Sequence, residues 1–357
     1  MKLPCITMLA TLLLTVPAAA QLQITPPAAT PSAPGEKQKP KPHTITKKKE
    51  AAPAPKPSAS PKPTSSPKPA TVIPAPSSDN SNVDLVFGAY QRGQYKTAFD
   101  LATARAQAGD PKAMTMLGEL YSNAMGMRRD YAKAAEWYKR AADAGDREAM
   151  FALSMLRISG RGGPIDKSEA VKLMASAAKL GEPRAAYNLA LLYLDGQTLP
   201  QDVKRSAELL RQAADAGLPE AQYALATFYK EGTGVPKDPE RSVRLLQAAS
   251  LADNVDAEVE YAIAMFNGTG TPKNQPAAVA LLRKASRQGS AIAQNRLAWV
   301  LINGVGTSVD KVEGFKWHLV AKTAGKGDPE LDKQLSDLPA EDRTKAEAAA
   351  KKWLGTK

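Results

Sequence analysis

Apolar and small residues recur along this chain every 36 positions. Laid in rows from Gly109, Gly145, Gly181, Gly217, Asp253 and Gly289, the sequence aligns without a gap as far as Ala324. In the first row Ala113, Leu117, Leu120 and Tyr121 form one apolar stripe at helical spacing, and Ala134, Trp137, Tyr138, Ala141 and Ala142 form a second. Asp110 and Pro111 supply a cap and a first-turn proline for one helix, Asp130 caps the other, and Gly145 stops it. Each row therefore predicts a helix–turn–helix hairpin, and no segment carries the alternation of a strand. A period of 20–50 residues signals a stacked array.

The columns say what each position is for. Ala113, Ala149, Ala185, Ala221, Ala257 and Ala293 share one column; Leu117, Leu153, Leu189, Leu225, Tyr261 and Leu297 share another. Ala141, Ala177, Ala213, Ala249, Ala285 and Ala321 stand where the second helix should press on the next repeat, and small residues permit that close approach. Trp137 and Trp317 share a column with leucines and read as core. Gly160, Gly196, Gly232, Gly268 and Gly304 share the turn column, with Ala124 the exception. G-x-G pairs recur in those loops, but no strand precedes them and no Gly-Lys-Ser/Thr follows. Left-handed turn geometry explains them better than a phosphate cradle.

Ala113…Leu117-Gly118…Tyr121, Gly126, Asp130-Tyr131…Ala134…Trp137-Tyr138…Ala141-Ala142…Gly145 resembles the SEL-one-like repeat (SLR), a relative of the tetratricopeptide repeat. The resemblance covers six copies: 109–144, 145–180, 181–216, 217–252, 253–288 and 289–324. It departs from the pattern at Arg157, Thr198, Asp253 and Tyr261. It implies an all-α fold, a right-handed α/α superhelix (solenoid) serving as an adaptor for protein complexes. Residues 83–108 resemble a half-copy and are expected to cap the front as a helix pair. Residues 325–357 break the period, and Glu341-Asp342-Arg343…Trp353 reads as one closing helix.

Composition divides the rest. Lys2, a run through Leu9, Leu12, Leu13, Leu14 and Val16, then Ala18-Ala19-Ala20, form the three regions of a signal peptide over residues 1–20, with cleavage expected after Ala20. The apolar run is shorter than the ~20 residues a membrane span needs. Cys5, the sole cysteine, lies inside that segment, so the mature chain would have no disulfide or thiol chemistry. Residues 21–82 hold 15 prolines and nine lysines against three carboxylates, which makes +6 of the chain's +12. Such a segment cannot build a core and is expected to be a disordered, extended tether reaching up to ~190 Å. It reads as a self-repelling spacer, or as an arm adhering to an anionic cell-wall polymer. Nucleic acid is not expected as a partner, since no aromatic residues interleave the lysines. A periplasmic or secreted monomer, without a transmembrane span after cleavage, is the expectation.

Catalytic signals are missing. His43 falls in the tether, and His318 shares a column with Tyr138, Met174 and Leu210, which suggests a packed or half-exposed histidine. There is no H-E-x-x-H, no G-x-S-x-G and no metal-spaced Cys/His/Asp cluster. Neither enzyme activity nor a cofactor is expected. In tetratricopeptide-like arrays the first helix of each hairpin lines the concave surface. Carried over, that geometry makes Phe151, Met155, Ile158, Tyr187, Leu191, Leu194, Tyr223, Phe266, Trp299 and Ile302 the candidate groove, with Ile263 beside them. The alternative is that neighbouring first helices bury these side chains against one another. Two functions follow: a non-catalytic scaffold holding an envelope protein, or a cell-wall or polysaccharide-associated protein with a basic adhesive arm.

Overall fold

A computed structural model of the chain describes residues 84–355. The expected signal peptide, the Pro/Lys-rich segment, Cys5 and His43 lie outside the described residues. The described residues are helical and form no strand. Helices α1 (Leu85–Gln91) and α2 (Tyr95–Gln107) precede six hairpins. These pair α3 (Pro111–Asn123) with α4 (Tyr131–Asp143), α5 (Arg147–Ser159) with α6 (Lys167–Lys179), and α7 (Pro183–Asp195) with α8 (Val203–Asp215). They continue as α9 (Pro219–Glu231) with α10 (Pro239–Leu251), α11 (Val255–Asn267) with α12 (Gln275–Arg287), and α13 (Ala291–Asn303) with α14 (Lys311–Thr323). Each first helix packs on its own second helix and on the second helix of the preceding hairpin, the contact pattern of a solenoid.

Local chemistry sets the start of the second helix in the same way in every repeat. Asp130, Asp166, Asp202, Asp238, Asn274 and Asp310 each accept a hydrogen bond from a backbone N–H in the first turn of the second helix, satisfying a donor that has no helical partner. The backbone N–H of that same residue donates to a carbonyl near the end of the first helix: Asp130 to Tyr121 at 3.1 Å, Asp238 to Tyr229 at 2.9 Å, Asp310 to Leu301 at 2.9 Å, and likewise in the other three. The loop is thus one structure built six times. First helices are capped by side chains of Asp110, Asp146, Asn254 and Ser290. The two without such a cap, at Glu182 and Leu218, begin instead with Pro183 and Pro219.

The core follows the columns. Ala113, Ala149, Ala185, Ala221, Ala257 and Ala293 are all buried, as are the six alanines from Ala141 to Ala321. Leu117, Leu153, Leu189, Leu225 and Leu297 fill the space between them, while Tyr261 stays half-buried. The column of Ala134, Ala170, Ser206, Ser242, Ala278 and Gly314 is small throughout for a steric reason. A Cβ on Gly314 would stand 2.6 Å from Ile302 Cγ1, and the same surface of α3 is cut back at Gly118, where a Cβ would meet the Tyr138 ring at 2.5 Å.

The C-terminal end differs from the single closing helix expected. Asp328-Pro329 starts a short helix, α15 (Pro329–Ser336), capped by Asp328 and anchored by buried Leu331. Helix α16 (Ala340–Gly355) then packs on α14, where Trp317 and Trp353 meet edge to face with centroids 5.0 Å apart. Trp317 is buried, Trp137 is half-buried under the Arg140 guanidinium, and both are packing residues. His318 is wholly buried, with Nε2 2.8 Å from Asp332 Oδ1 of α15.

Candidate functional site

The first helices α3, α5, α7, α9, α11 and α13 present a continuous face on which neighbouring repeats are joined by polar contacts. Lys112 reaches Glu148 at 3.3 Å and Asp146 at 3.4 Å, one repeat on. The Thr115 hydroxyl donates to Asp146 at 3.0 Å. Arg184 pairs with Glu182 at 2.9 Å and lays its guanidinium 5.0 Å from the centroid of Phe151 in the preceding repeat. Lys230 crosses to Glu260 at 2.9 Å. The Lys112–Glu148 and Lys230–Glu260 pairs are largely exposed and worth about 0–1 kcal/mol each, whereas Asp146 and Glu182 are buried carboxylates held by their partners.

Ten residues were expected on this face, and the structure divides them. Tyr187, Leu191, Leu194, Ile158, Tyr223 and Phe266 are half-buried, and Trp299 is 44% exposed. Phe151, Met155 and Ile302 are buried, which corrects the expectation that they offer open surface. The reasons are local. Phe151 is covered by Arg184, and Ile302 faces its own second helix, filling the space Gly314 leaves. Ser122, in the Ile302 column, likewise turns to its own second helix, with its hydroxyl 3.3 Å from that of Tyr138. Phe266 and Ile263 pack against the core of the last repeats. The surface that remains centres on Tyr187, Leu191 and Leu194 of α7 and Tyr223 of α9, with Trp299 standing apart on α13.

Electrostatics keep this face uncharged at its aromatic positions. Burial raises the Tyr187 hydroxyl, with Glu220 adding to the effect. Burial with Asp256 and Glu260 nearby pushes Tyr223 up to about 12. Glu119, the carboxylate of α3 on the same face, is raised by burial against the opposing pull of the Tyr90 hydroxyl, which donates to it at 2.9 Å. Arg184 was not among the expected site residues. Its signal is a column that runs Lys112, Glu148, Arg184, Glu220, Asp256, Ile292, in which the sign of charge alternates over the first four repeats.

A cleft of about 680 Å³ lies elsewhere, between α2 and the first hairpin's loop, over Phe99, Tyr121 and Met127. Its cations are partly committed: Lys96 pairs with Asp100 at 3.0 Å, and Lys133 pairs with Asp130 at 3.7 Å and covers the Tyr121 ring. Among the described residues no group of three or more His, Cys, Asp and Glu side chains is arranged to hold a metal ion, and no helix is long and apolar enough to cross a membrane.

With that geometry in place, the Sel1 repeat family model matches six consecutive segments: 111–146, 147–182, 183–218, 219–254, 255–290 and 291–326. Its frame begins at the first helical residue, two positions after the frame set by the glycine column. Among solved structures, the chain is similar to a protective antigen of uropathogenic Escherichia coli strains displaying an SLR fold. That match has 26% identity and a TM-score of 0.64, and covers 72% of this chain but only 56% of the antigen. It is also similar in fold to a Sel1 repeat protein from Oxalobacter formigenes, at 24% identity and a TM-score of 0.57, covering 66% of this chain and 94% of that one. No curated protein matches the chain significantly.

Proposed function

Because this chain belongs to the Sel1 repeat family, whose fold is generally a non-catalytic scaffold, we propose that it is an exported adaptor that holds a segment of a partner protein along the face of its first helices. The observation that carries this reading is the half-exposed row of Tyr187, Leu191, Leu194 and Tyr223, flanked by paired charges. Aromatic and aliphatic anchors in partly desolvated positions are what protein interfaces rely on, and a rim of ion pairs supplies orientation. The tyrosines remain neutral hydrogen-bond donors across the physiological range. Export rests on the signal-peptide pattern ending at Ala18-Ala19-Ala20. An exported chain would meet its partner in the periplasm or outside the cell.

Site-specific photocrosslinking tests the proposal. A photoreactive residue at Tyr187 should yield a discrete adduct in cells, whereas the same residue at Glu136, on the exposed side of α4, should yield none. Equal labelling from both positions would count against the first-helix face. N-terminal sequencing of the mature protein should begin at Gln21; a chain retaining Met1 in the cytoplasm would overturn export.

A further inference from the structure

A second cleft, of about 360 Å³, lies between the second helices α8 and α10, with Leu225 and Tyr229 of α9 beneath it. Arg211, Arg241 and Arg244 line it, against a single lining carboxylate, Asp215. Two of these guanidinium groups point at one neutral oxygen: Arg211 donates to the Tyr229 hydroxyl at 3.4 Å and Arg241 donates to it at 3.5 Å. Both contacts are long for hydrogen bonds, and Tyr229 itself is buried, with 5% of its surface exposed. Two like charges converging on an uncharged acceptor is an arrangement that an anion would relieve.

The repeat supplies an internal control. The positions of Arg211, Tyr229, Arg241 and Arg244 recur every 36 residues, and three other repeats place an arginine there. In each of those a carboxylate at a neighbouring one of the four positions neutralises it. Arg157 pairs with Glu169 at 2.9 Å, Arg205 with Glu208 at 2.8 Å, and Arg283 with Glu313 at 3.1 Å. The set around Tyr229, made of Arg211 from the third repeat and Arg241 and Arg244 from the fourth, alone has three arginines and no carboxylate at these positions. Asp238, the helix cap, pairs with Arg241 at 3.1 Å, so the cations of the cleft that have no ion-pair partner among the described residues are Arg211 and Arg244.

We propose that this cleft binds a phosphate group, as inorganic phosphate, a soluble phosphomonoester or a lipid headgroup. Arg211 and Arg241 would turn from the Tyr229 hydroxyl onto the anion, and Arg244 would close the site. Guanidinium forks match phosphate oxygens in pairs, and charge-assisted bonds of this kind are about twice as strong as neutral ones. The reading is independent of the first-helix face, since the three arginines stand on the second helices α8 and α10.

Calorimetry on the full chain with inorganic phosphate, in low-salt chloride buffer, tests it. Saturable binding should weaken at least about tenfold in Arg211→Gln/Arg244→Gln. An equally charged control, Arg287→Gln/Arg296→Gln, removes two exposed arginines outside the cleft and should bind as the parent does. All four side chains are exposed, so each pair should fold. Co-sedimentation with phosphatidylglycerol vesicles, lost only in the first pair, would identify a lipid headgroup; phosphate binding without sedimentation would identify a soluble ligand. Absence of saturable binding to both probes, or equal loss in both variant pairs, would overturn the proposal.

Discussion

Ala124 and Gly160 occupy the same turn position in successive repeats, and both have left-handed backbones, with φ of 58° and 65°. Gly196, Gly232, Gly268 and Gly304 repeat that conformation. The turn between helices therefore demands it, and Ala124 accepts it against its preference. A residue with a Cβ pays about 1–2 kcal/mol to stand there, part of which glycine returns through its freer unfolded chain. Ala124→Gly should raise stability by about 0.5–1 kcal/mol, and a thermal melt showing no gain or a loss would contradict this. Ala124 is exposed, so no packing is lost.

Asp253 makes the same point with a complication. It is left-handed at φ 58° where five other repeats have glycine, but it also pairs with Lys284 at 2.8 Å. That carboxylate is mostly exposed, so the pair adds about 0–1 kcal/mol. Asp253→Gly should therefore change stability less than Ala124→Gly, and denaturant midpoints measured side by side would show the order.

How far the sequence carries is visible in these positions. The period, both helix caps and the buried columns were legible because each depends on residues close in the chain: Asp130 caps α4 within three residues, and Ala113 and Leu117 lie one turn apart. The direction of the Ile302 column was not legible. Periodicity gives a residue's angle on its own helix, whereas burial depends on how close the neighbouring helix comes. That distance is set by Gly314, which lies far enough along the chain to fall outside the stripe. Phe151 was misjudged for a related reason, since its cover is Arg184 of the next repeat. At the C-terminal end, Asp328-Pro329 is a cap and first-turn proline like those of the repeats, but it lies outside the 36-residue period.

Gly314 and Ile302 provide a packing test. A methyl group on Gly314 would stand 2.6 Å from Ile302 Cγ1 and 3.2 Å from the Ala298 carbonyl oxygen. Gly314→Ala gains about 1 kcal/mol in helix propensity but incurs overpacking of about 1–3 kcal/mol, so a net loss is expected. Truncating Ile302 to Ala, which removes Cγ1, should make Gly314→Ala less costly than it is in the parent, giving a coupling between the two substitutions in a double-mutant cycle. Simple additivity would mean that the two side chains do not share that space.

Glu119 makes stability depend on pH. Burial raises its carboxyl above the ordinary value near 4.5, so the folded chain holds the proton more tightly than the unfolded one. Its contribution is fully present below the unfolded pKa and is lost as pH rises through the folded value. Glu119→Gln keeps an acceptor for the Tyr90 hydroxyl and removes the charge. The variant should lack this fall in stability between pH 4.5 and neutrality, and it should melt above the parent at pH 7. A variant that melts lower at pH 7 would show that the ionised carboxylate is stabilising where it sits.

Tyr187 and Leu191 lie one helical turn apart on the face of α7 opposite Leu189, and the two sides of this helix should separate binding from folding. Leu189 is buried, and its truncation to Ala should cost about 2–5 kcal/mol through lost transfer energy and a residual cavity. Tyr187 and Leu191 keep part of their surface in water, so each has less burial to lose. Tyr187→Ala/Leu191→Ala should therefore melt closer to the parent than Leu189→Ala does. In crosslinking from a neighbouring position such as Tyr223, the same pair should reduce adduct yield by about tenfold, the effect of losing one or two interface anchors. The informative comparison is the ratio of the two losses. If the double variant unfolds as readily as Leu189→Ala, these side chains hold neighbouring repeats together, and the partner docks elsewhere on the array. If it folds normally and the adduct persists, the binding segment does not use the aromatic row of α7.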